Sequence, residues 1–317
     1  MTAAASGSRA DVRARVLRRL PPLGLAAVAL LALVLDFWSL SRNGYGNEFY
    51  AAAVVSMTKS WHNFFFAAFD PPGFVTVDKP PLSLWVEAGV AKLFGISSLS
   101  ILGPSAVAGA VSVAVLGRTV WRVWGIAAGL VAALALALTP VAIVVARSNN
   151  TDAIMIMLLV LGAWAAVRAV QSGRLHWVLL TGLFIGLAFN AKTLAAYLVV
   201  PGFVVAYLIT DVRSWRVRVV HLFGAGIVLA CVSAAWLTAV DLVPASQRPW
   251  VDSTQDNSEW SLTLGYNGLQ RILGGLRQAG THGFGGGRGA GAGGEVPSFG
   301  GGRGAGAGGA GDAGGPG

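Results

Sequence analysis

Charge is scarce in this chain. Asp, Glu, Lys and Arg make up 12% of its 317 residues, about half the 25% usual for a soluble domain. With 55% hydrophobic residues and a mean hydropathy of +0.65, there is too little polar surface to wrap a water-soluble core of this size. A soluble single-core enzyme is thereby excluded, and a polytopic membrane protein remains. Cysteine is nearly absent too. The single Cys231 lies in an apolar run, which rules out an intrachain disulfide framework and a cysteine metal centre. The four histidines, His62, His176, His221 and His282, do not stand at metal-ligand spacing. There is no Walker loop, Rossmann fingerprint, serine elbow or HExxH pattern. The net charge of +9 sits in short clusters between apolar runs and comes with no readout motif, so no nucleic-acid partner is expected.

What the chain does contain is a series of apolar runs. Residues 1–19 form a basic arm with Arg9, Arg13, Arg15, Arg18 and Arg19. The run Leu20–Leu35 that follows ends in Asp36-Phe37-Trp38 with no small-residue cleavage pattern, which predicts a retained first transmembrane helix. Residues 41–80 are the least hydrophobic part of the first half. Asn47–Trp61 reads as a surface helix with Phe49, Ala52, Ala53, Ser56 and Met57 on one side. Phe64-Phe65-Phe66 and Phe69 are expected at the membrane interface, and Asp70-Pro71-Pro72-Gly73 as a turn. Charge-free stretches then recur at Val123–Ala146, Ala153–Val167, Leu175–Ala191, Thr193–Thr210 and Val219–Val240. Several approach the roughly 20 residues of a spanning helix.

Basic loops (Arg118/Arg122, Arg168/Arg174, Arg213/Arg216/Arg218) alternate with polar or acidic ones (Ser148–Asp152, Asp241–Glu259). The positive-inside rule places the former and the N-terminus in the cytoplasm. The 41–80 loop, Asp152, Lys192 and the 241–270 segment then share the outer side of the cell membrane. Residues 81–117 hold two apolar pieces where this assignment allows an odd number of crossings, so Pro81–Gly95 reads as a partial or re-entrant segment or a neighbouring loop is misassigned. The expectation is an all-α helix bundle of seven or eight crossings over residues 20–279. Its first outer loop is 41–80, and its later one is 241–279, with a short amphipathic helix around Leu269–Leu276. The remainder, 280–317, holds twenty of the 43 glycines and repeats FGGGRGAGAGG at 284–294 and 299–309. Such a segment cannot pack a core and is expected to be disordered.

The outer half has few ionisable side chains, and these are the candidates for chemistry. Asp78-Lys79-Pro80-Pro81 lies where a polar loop meets the bilayer. A lysine there suits a phosphate oxyanion at headgroup depth; equally, it suits a snorkelling lysine with a neighbouring counter-charge. Glu48 sits at a helix start, where the dipole stabilises a carboxylate. Asp152 opens an apolar helix after Asn149-Asn150-Thr151, a pattern that capping also explains. Lys192 interrupts the otherwise charge-free Leu175–Thr210. It requires a partner, a water-filled cavity, or the tip of a helical hairpin.

Taken in order, GNEFYAAAVVSM and VTVDKPPLSLWVEAGVAKLFGISSLSILGPSAV resemble the polytopic GT-C glycosyltransferases over roughly residues 20–277. The similarity is greatest to the bacterial branch of aminoarabinose lipid A transferases and of mannosyltransferase-like proteins from Actinobacteria and Firmicutes; protein O-mannosyltransferases are more distant. The family's [Glu/Asp]-Lys-Pro-Pro-Leu motif stands here as Asp78-Lys79-Pro80-Pro81-Leu82. Its first-loop acid is matched by Glu48, its helix-opening Asp by Asp152, and its later Lys by Lys192 within GLAFNAKTLAAY. The resemblance implies transfer of a sugar, mannose or another hexose or pentose, from a polyprenyl-phosphate donor to a hydroxyl of a glycan, lipid or protein on the outer face.

In that scheme Glu48 is the general base, and Lys79 and Lys192 bind the donor phosphate. Asp78 and Asp152 orient Lys79 or hold a divalent metal ion, with Asp78 as metal ligand. Two departures bear on this. Asn47-Glu48 replaces the Asp-Glu of many relatives, and no histidine lies between 222 and 281, where lipid A transferases place a metal ligand. Such families continue with further helices, so the resemblance also implies the N-terminal portion of a longer enzyme. A truncated inactive or polyprenyl-lipid-binding product is one alternative reading. A transporter is another and predicts inverted repeats, which the sequence does not show.

Overall fold

The computed structural model describes residues 22–269, the last four by backbone alone. The basic arm 1–19, the glycine-rich 280–317 and all but the first residue of the Leu269–Leu276 helix lie outside the described residues. The described chain is helical. In order it forms α1 (Pro22–Phe37), α2 (Glu48–Met57), α3 (Trp61–Phe66), α4 (Leu82–Phe94), α5 (Ser98–Trp124) and α6 (Ile126–Leu138). Then come α7 (Pro140–Ala146), α8 (Asp152–Ser172), α9 (Leu175–Lys192), α10 (Val200–Leu208), α11 (Trp215–Asp241) and α12 (Glu259–Ser261). Among the described residues the only β-type pairings are isolated bridges, Ala68–Thr76 and Val75–Trp250.

Local chemistry sets several boundaries. Ser97 and Ser100 form a reciprocal capping box that starts α5, Ser60 caps α3, and Gly173 (φ +62°) ends α8 in the left-handed region. The helices then pack in sequence, α5 on α8, α8 on α9 and α9 on α11, with α1 and α6 against α5. A Cβ at Gly182 would lie 2.4 Å from the Ala225 carbonyl oxygen, and one at Gly186 2.8 Å from Val232 Cβ. This small-xxx-small seam lets α9 and α11 approach closely. Alanine is the commonest buried residue, whereas Val131, Val141 and Phe223 face outward. That distribution is how helices pack where lipid, not water, covers the outside.

Four stretches are long and apolar enough to cross a membrane: Ser98–Trp124, Asp152–Ser172, Leu175–Leu208 and Trp215–Asp241. The pair α6–α7, bent by 64°, is either a broken fifth span or a re-entrant loop. The expected seven or eight are therefore not met within the described residues. Helix α4 is about 20 Å long at 1.5 Å per residue, short of a hydrocarbon core of ~30 Å. With α4 excluded, the only helix in 81–117 long and apolar enough to cross is α5.

The apolar 34-residue run Leu175–Leu208 would extend about 51 Å as one straight helix. Instead it reverses. Thr193 takes φ +49°, Tyr207 shares a cluster with Val178, and Arg213 Nε donates to the Gly173 carbonyl at 3.3 Å. Helix α10 thus returns toward the start of α9, packed on α8 and α11, and Lys192 stands at the tip of the hairpin.

The bundle accordingly has two distinct ends. The basic end gathers the C-termini of α5, α8 and α10 with the start of α11; the other end gathers α2–α4, the α7–α8 turn, Lys192 and the residues after α11.

A candidate active site at one end of the bundle

Helix α2 is held from both sides. Asn47 caps it, its Oδ1 accepting from the Phe49 and Tyr50 amides at 3.0 and 3.3 Å. The Asn47 backbone is in turn clamped by the buried Asn149 of the α7–α8 turn. Asn149 Oδ1 accepts from the Asn47 amide at 2.7 Å, and Asn149 Nδ2 donates to the Asn47 carbonyl at 3.0 Å. Gly46 makes room for this clamp. Its φ is +71°, and a Cβ there would stand 2.7 Å from Asn149 Oδ1. Glu48, the next residue after Asn47, opens α2 with its side chain exposed.

The buried face of α2 is Tyr50, Ala51, Ala53, Val54, Ser56 and Met57, while Phe49 and Ala52 are exposed. Only part of the expected face is therefore buried, because the helix packs on α4 and not simply on a flat bilayer surface. Phe64 and Phe69 likewise pack on the α2–α4–α5 cluster, and Phe66 is buried in the next one.

Two residues past its start, α2 reaches the Asp-Lys-Pro-Pro segment. Tyr50 Oη donates to Asp78 Oδ1 at 3.3 Å, and Lys79 Nζ meets Asp78 Oδ2 at 2.5 Å and the Asp78 carbonyl at 3.1 Å. Lys79 is only 4% exposed. Pro80 and Pro81 are buried where the chain turns into α4. Proline at a helix start forfeits no hydrogen bond, because that amide has no intrahelical partner. One step further, Ser83 Oγ donates to the Thr151 carbonyl at 3.3 Å, tying the start of α4 to the start of α8.

At that start Asp152 forms an ion pair with Lys192. Thr151 makes no side-chain cap, so Asp152 acts as a partner for Lys192 and not as the cap of α8. The hairpin and the ion-pair readings of Lys192 are thus both realised. The structure brings four of the predicted residues into two Asp–Lys pairs linked through Ser83 and Thr151, while Glu48 follows the Asn47 backbone that Asn149 clamps.

The later loop docks on the first. Thr76 N donates to the Trp250 carbonyl at 2.9 Å, and Trp250 N to the Phe74 carbonyl at 2.6 Å. Two indoles donate to carbonyls at the end of the short α3: Trp85 Nε1 to Phe64 O at 2.6 Å and Trp236 Nε1 to Phe65 O at 2.9 Å. The expected turn forms, with Gly73 N bonded to Asp70 O at 2.9 Å. Burial pushes the Asp70 carboxyl up, but amides of Phe74, Val75 and Gly73 outweigh it and hold the group below the usual carboxylate range.

A third pair lies after α11, where Asp241 takes Arg248 NH1 at 2.7 Å, the Ser258 hydroxyl at 2.5 Å and the Glu259 amide at 2.9 Å. Glu259 and, on α4, Glu87 are buried carboxyls whose oxygens have no hydrogen-bond partner. Burial drives both well above the usual range; for Glu259 the nearby Asp241 adds to this and Arg248 opposes it.

Sequence reasoning missed Asn149 as a clamp, Tyr50 as the Asp78 partner, and Glu87 altogether. A glutamate in the otherwise apolar LSLWVEAGV was the available signal for the last. No group of three His, Cys, Asp or Glu that could hold a metal occurs among the described residues. Both Asp78 oxygens are already engaged by Tyr50 and Lys79. The donors present do not make a metal centre.

The sequence model of the dolichyl-phosphate-mannose-protein mannosyltransferase family matches residues 78–237, a span that opens on Asp78 and includes Asp152 and Lys192. The chain belongs to this family. It is thus a multi-pass membrane protein of the GT-C glycosyltransferase superfamily. Two relatives from Bacillus subtilis (strain 168) agree. "Putative mannosyltransferase YycA" is 42% identical over 266 residues, 83% of this chain and 39% of the relative. "Putative mannosyltransferase YkcB" is 39% identical over 250 residues, 79% of this chain and 35% of the relative. The chain spans little more than a third of the length of either.

Proposed function

We propose that the intact protein transfers a sugar from a polyprenyl-phosphate carrier to an acceptor hydroxyl on the outer face of the cell membrane. The observation that carries this reading is the pair of Asp–Lys couples at one end of the bundle. Each presents a cation that is already oriented, as a site for a departing phosphate requires. In the reaction the bond between the sugar and the lipid phosphate breaks, and a bond from the acceptor oxygen to the sugar forms. The lipid phosphate leaves with the bonding electrons, and Lys79 and Lys192 stabilise its charge. Asp78 and Asp152 orient the two ammonium groups. Glu48, exposed at the head of α2, takes the acceptor proton as general base. A donor whose chain lies in lipid and an acceptor arriving from water meet naturally at such an end.

The test is turnover of polyprenyl-phosphate sugars by the full-length protein. Glu48→Gln is expected to lower kcat by about 10²–10⁴-fold with donor binding intact. Full activity in that variant would sink the base assignment. Lys79→Gln is expected chiefly to weaken donor use.

A further inference from the structure

We propose that a second lipid site, separate from the reacting one, lies at the far end of α4 and holds the phosphate of an anionic glycerophospholipid. A groove of about 380 Å³ opens between the end of α2, the start of α3 and the second half of α4. Its lining includes Lys59, Trp61, Phe64, Gly89, Lys92 and Leu93, and no acidic residue. Lys92 Nζ donates to the Thr58 carbonyl at 2.8 Å, which brings its ammonium group to the Lys59 side of the groove. Two cations without a lining carboxylate call for an anion.

The rim says which kind. Trp61, Leu93 and Phe94 are 84%, 79% and 80% exposed, large apolar side chains that in a membrane protein rest against acyl chains, with Trp favoured at headgroup level. The floor is notched at Gly89, where an added Cβ would meet nothing within 4 Å. A phosphate on an apolar tail matches this combination of lysines, aromatics and open floor.

It is not the phosphate that reacts. Lys92 is ten residues beyond Leu82, about 15 Å along α4 from the Asp78–Lys79 end, and one phosphate cannot touch both. The site therefore holds a resident membrane lipid that anchors α2–α4 at the interface, and it stands independently of the transferase reading.

The experiment places the full-length protein in nanodiscs of zwitterionic lipid doped with phosphatidylglycerol and counts retained lipid by native mass spectrometry after delipidation. Wild type is expected to keep one phosphatidylglycerol. Lys59→Gln/Lys92→Gln should reduce retention roughly tenfold or more, as the loss of two lysine–headgroup contacts implies. Lys59→Arg/Lys92→Arg should keep the lipid. Gly89→Leu, which fills the floor and leaves both lysines in place, should lose it, whereas Gly89→Ala should not. Thermal unfolding checks that each variant is folded. The proposal is overturned by equal retention in the Gln double variant, by loss in the Arg variant, or by no effect of Gly89→Leu. Displacement of phosphatidylglycerol by inorganic phosphate, or retention of polyprenyl phosphate in its place, would overturn it as well.

Discussion

At the candidate-site end, Lys79, Lys192 and Arg248 are each paired with an aspartate, and these three ion pairs all lie at that one end of the described residues. At the basic end, Arg118, Arg168 and Arg218 instead lie over the rings of Trp121, Trp164, Trp177 and Trp215, and Arg213 and Arg218 donate to backbone carbonyls. Charge at the basic end works by number and sign, which is all that orientation in a membrane requires. Charge in the three pairs works by geometry: Lys79, Lys192 and Arg248 are each held by one particular carboxylate, so their effect depends on placement to within an ångström. Equal side chains thus carry unequal consequences, and substitutions at the two ends should separate sharply.

The largest effect is expected at Lys79. Lys79→Ala leaves Asp78 in a partly buried site without its cation, a loss of about 3 kcal/mol of stability, together with loss of turnover. The double variant Asp78→Asn/Lys79→Met should recover much of the unfolding temperature but none of the turnover. Recovery of both would show that the pair is only a structural brace. Next comes Asn149→Ala, which strips two hydrogen bonds from the Asn47 backbone. Chemical denaturation should show a loss of about 1–3 kcal/mol, and kcat should fall while the KM for donor stays unchanged.

A smaller effect, and of opposite sign, is expected at Glu87. Its folded-state pKa is raised by burial, so the folded state holds the proton more tightly than the unfolded chain. Stability from this group is present below the unfolded value of about 4.3 and is lost as pH rises toward the folded value. Glu87→Gln should therefore raise the unfolding temperature at neutral pH and flatten its decline with pH; an unchanged profile would mean that Glu87 is not buried as described. The smallest effect belongs to the basic end. Arg168→Ala should cost about 0.5–1 kcal/mol through its lost ring contacts and leave turnover as it was.

Much of this was legible in the chain, and the reasons it was are local. Asp78-Lys79-Pro80-Pro81 reads as a helix start with an oriented lysine because proline chemistry acts within a few residues. The short α4 follows from the break between Gly95 and Ser98. The alternation of basic and polar loops already put Asp152 and Lys192 at one end. What could not be read is which groups meet across distance. Asp152 reads as a partner of Lys79, a metal ligand or a helix cap, because nothing in its neighbourhood names Lys192, 40 positions away, as the cation it pairs with. The burial of Tyr50 in place of Phe49 depends on where α4 lies against α2. The count of crossings is not legible for the same reason, since apolar runs at 81–95 and 193–210 look alike whether they span, fold back or end short.

Composition and run length by themselves settled that the chain is a membrane helix bundle, because a bilayer imposes its demand on each segment separately. They also marked which few charges were worth attention, since an ionisable group in an apolar stretch is costly wherever it goes. Tertiary structure alone decided the partners: Lys192 with Asp152, Asn149 with Asn47, Trp250 with the 74–76 strand-like segment. Those pairings depend on close helix approach, such as that permitted by Gly182 and Gly186, and on the reversal at Thr193. The pattern of a single segment does not contain the position of its neighbours.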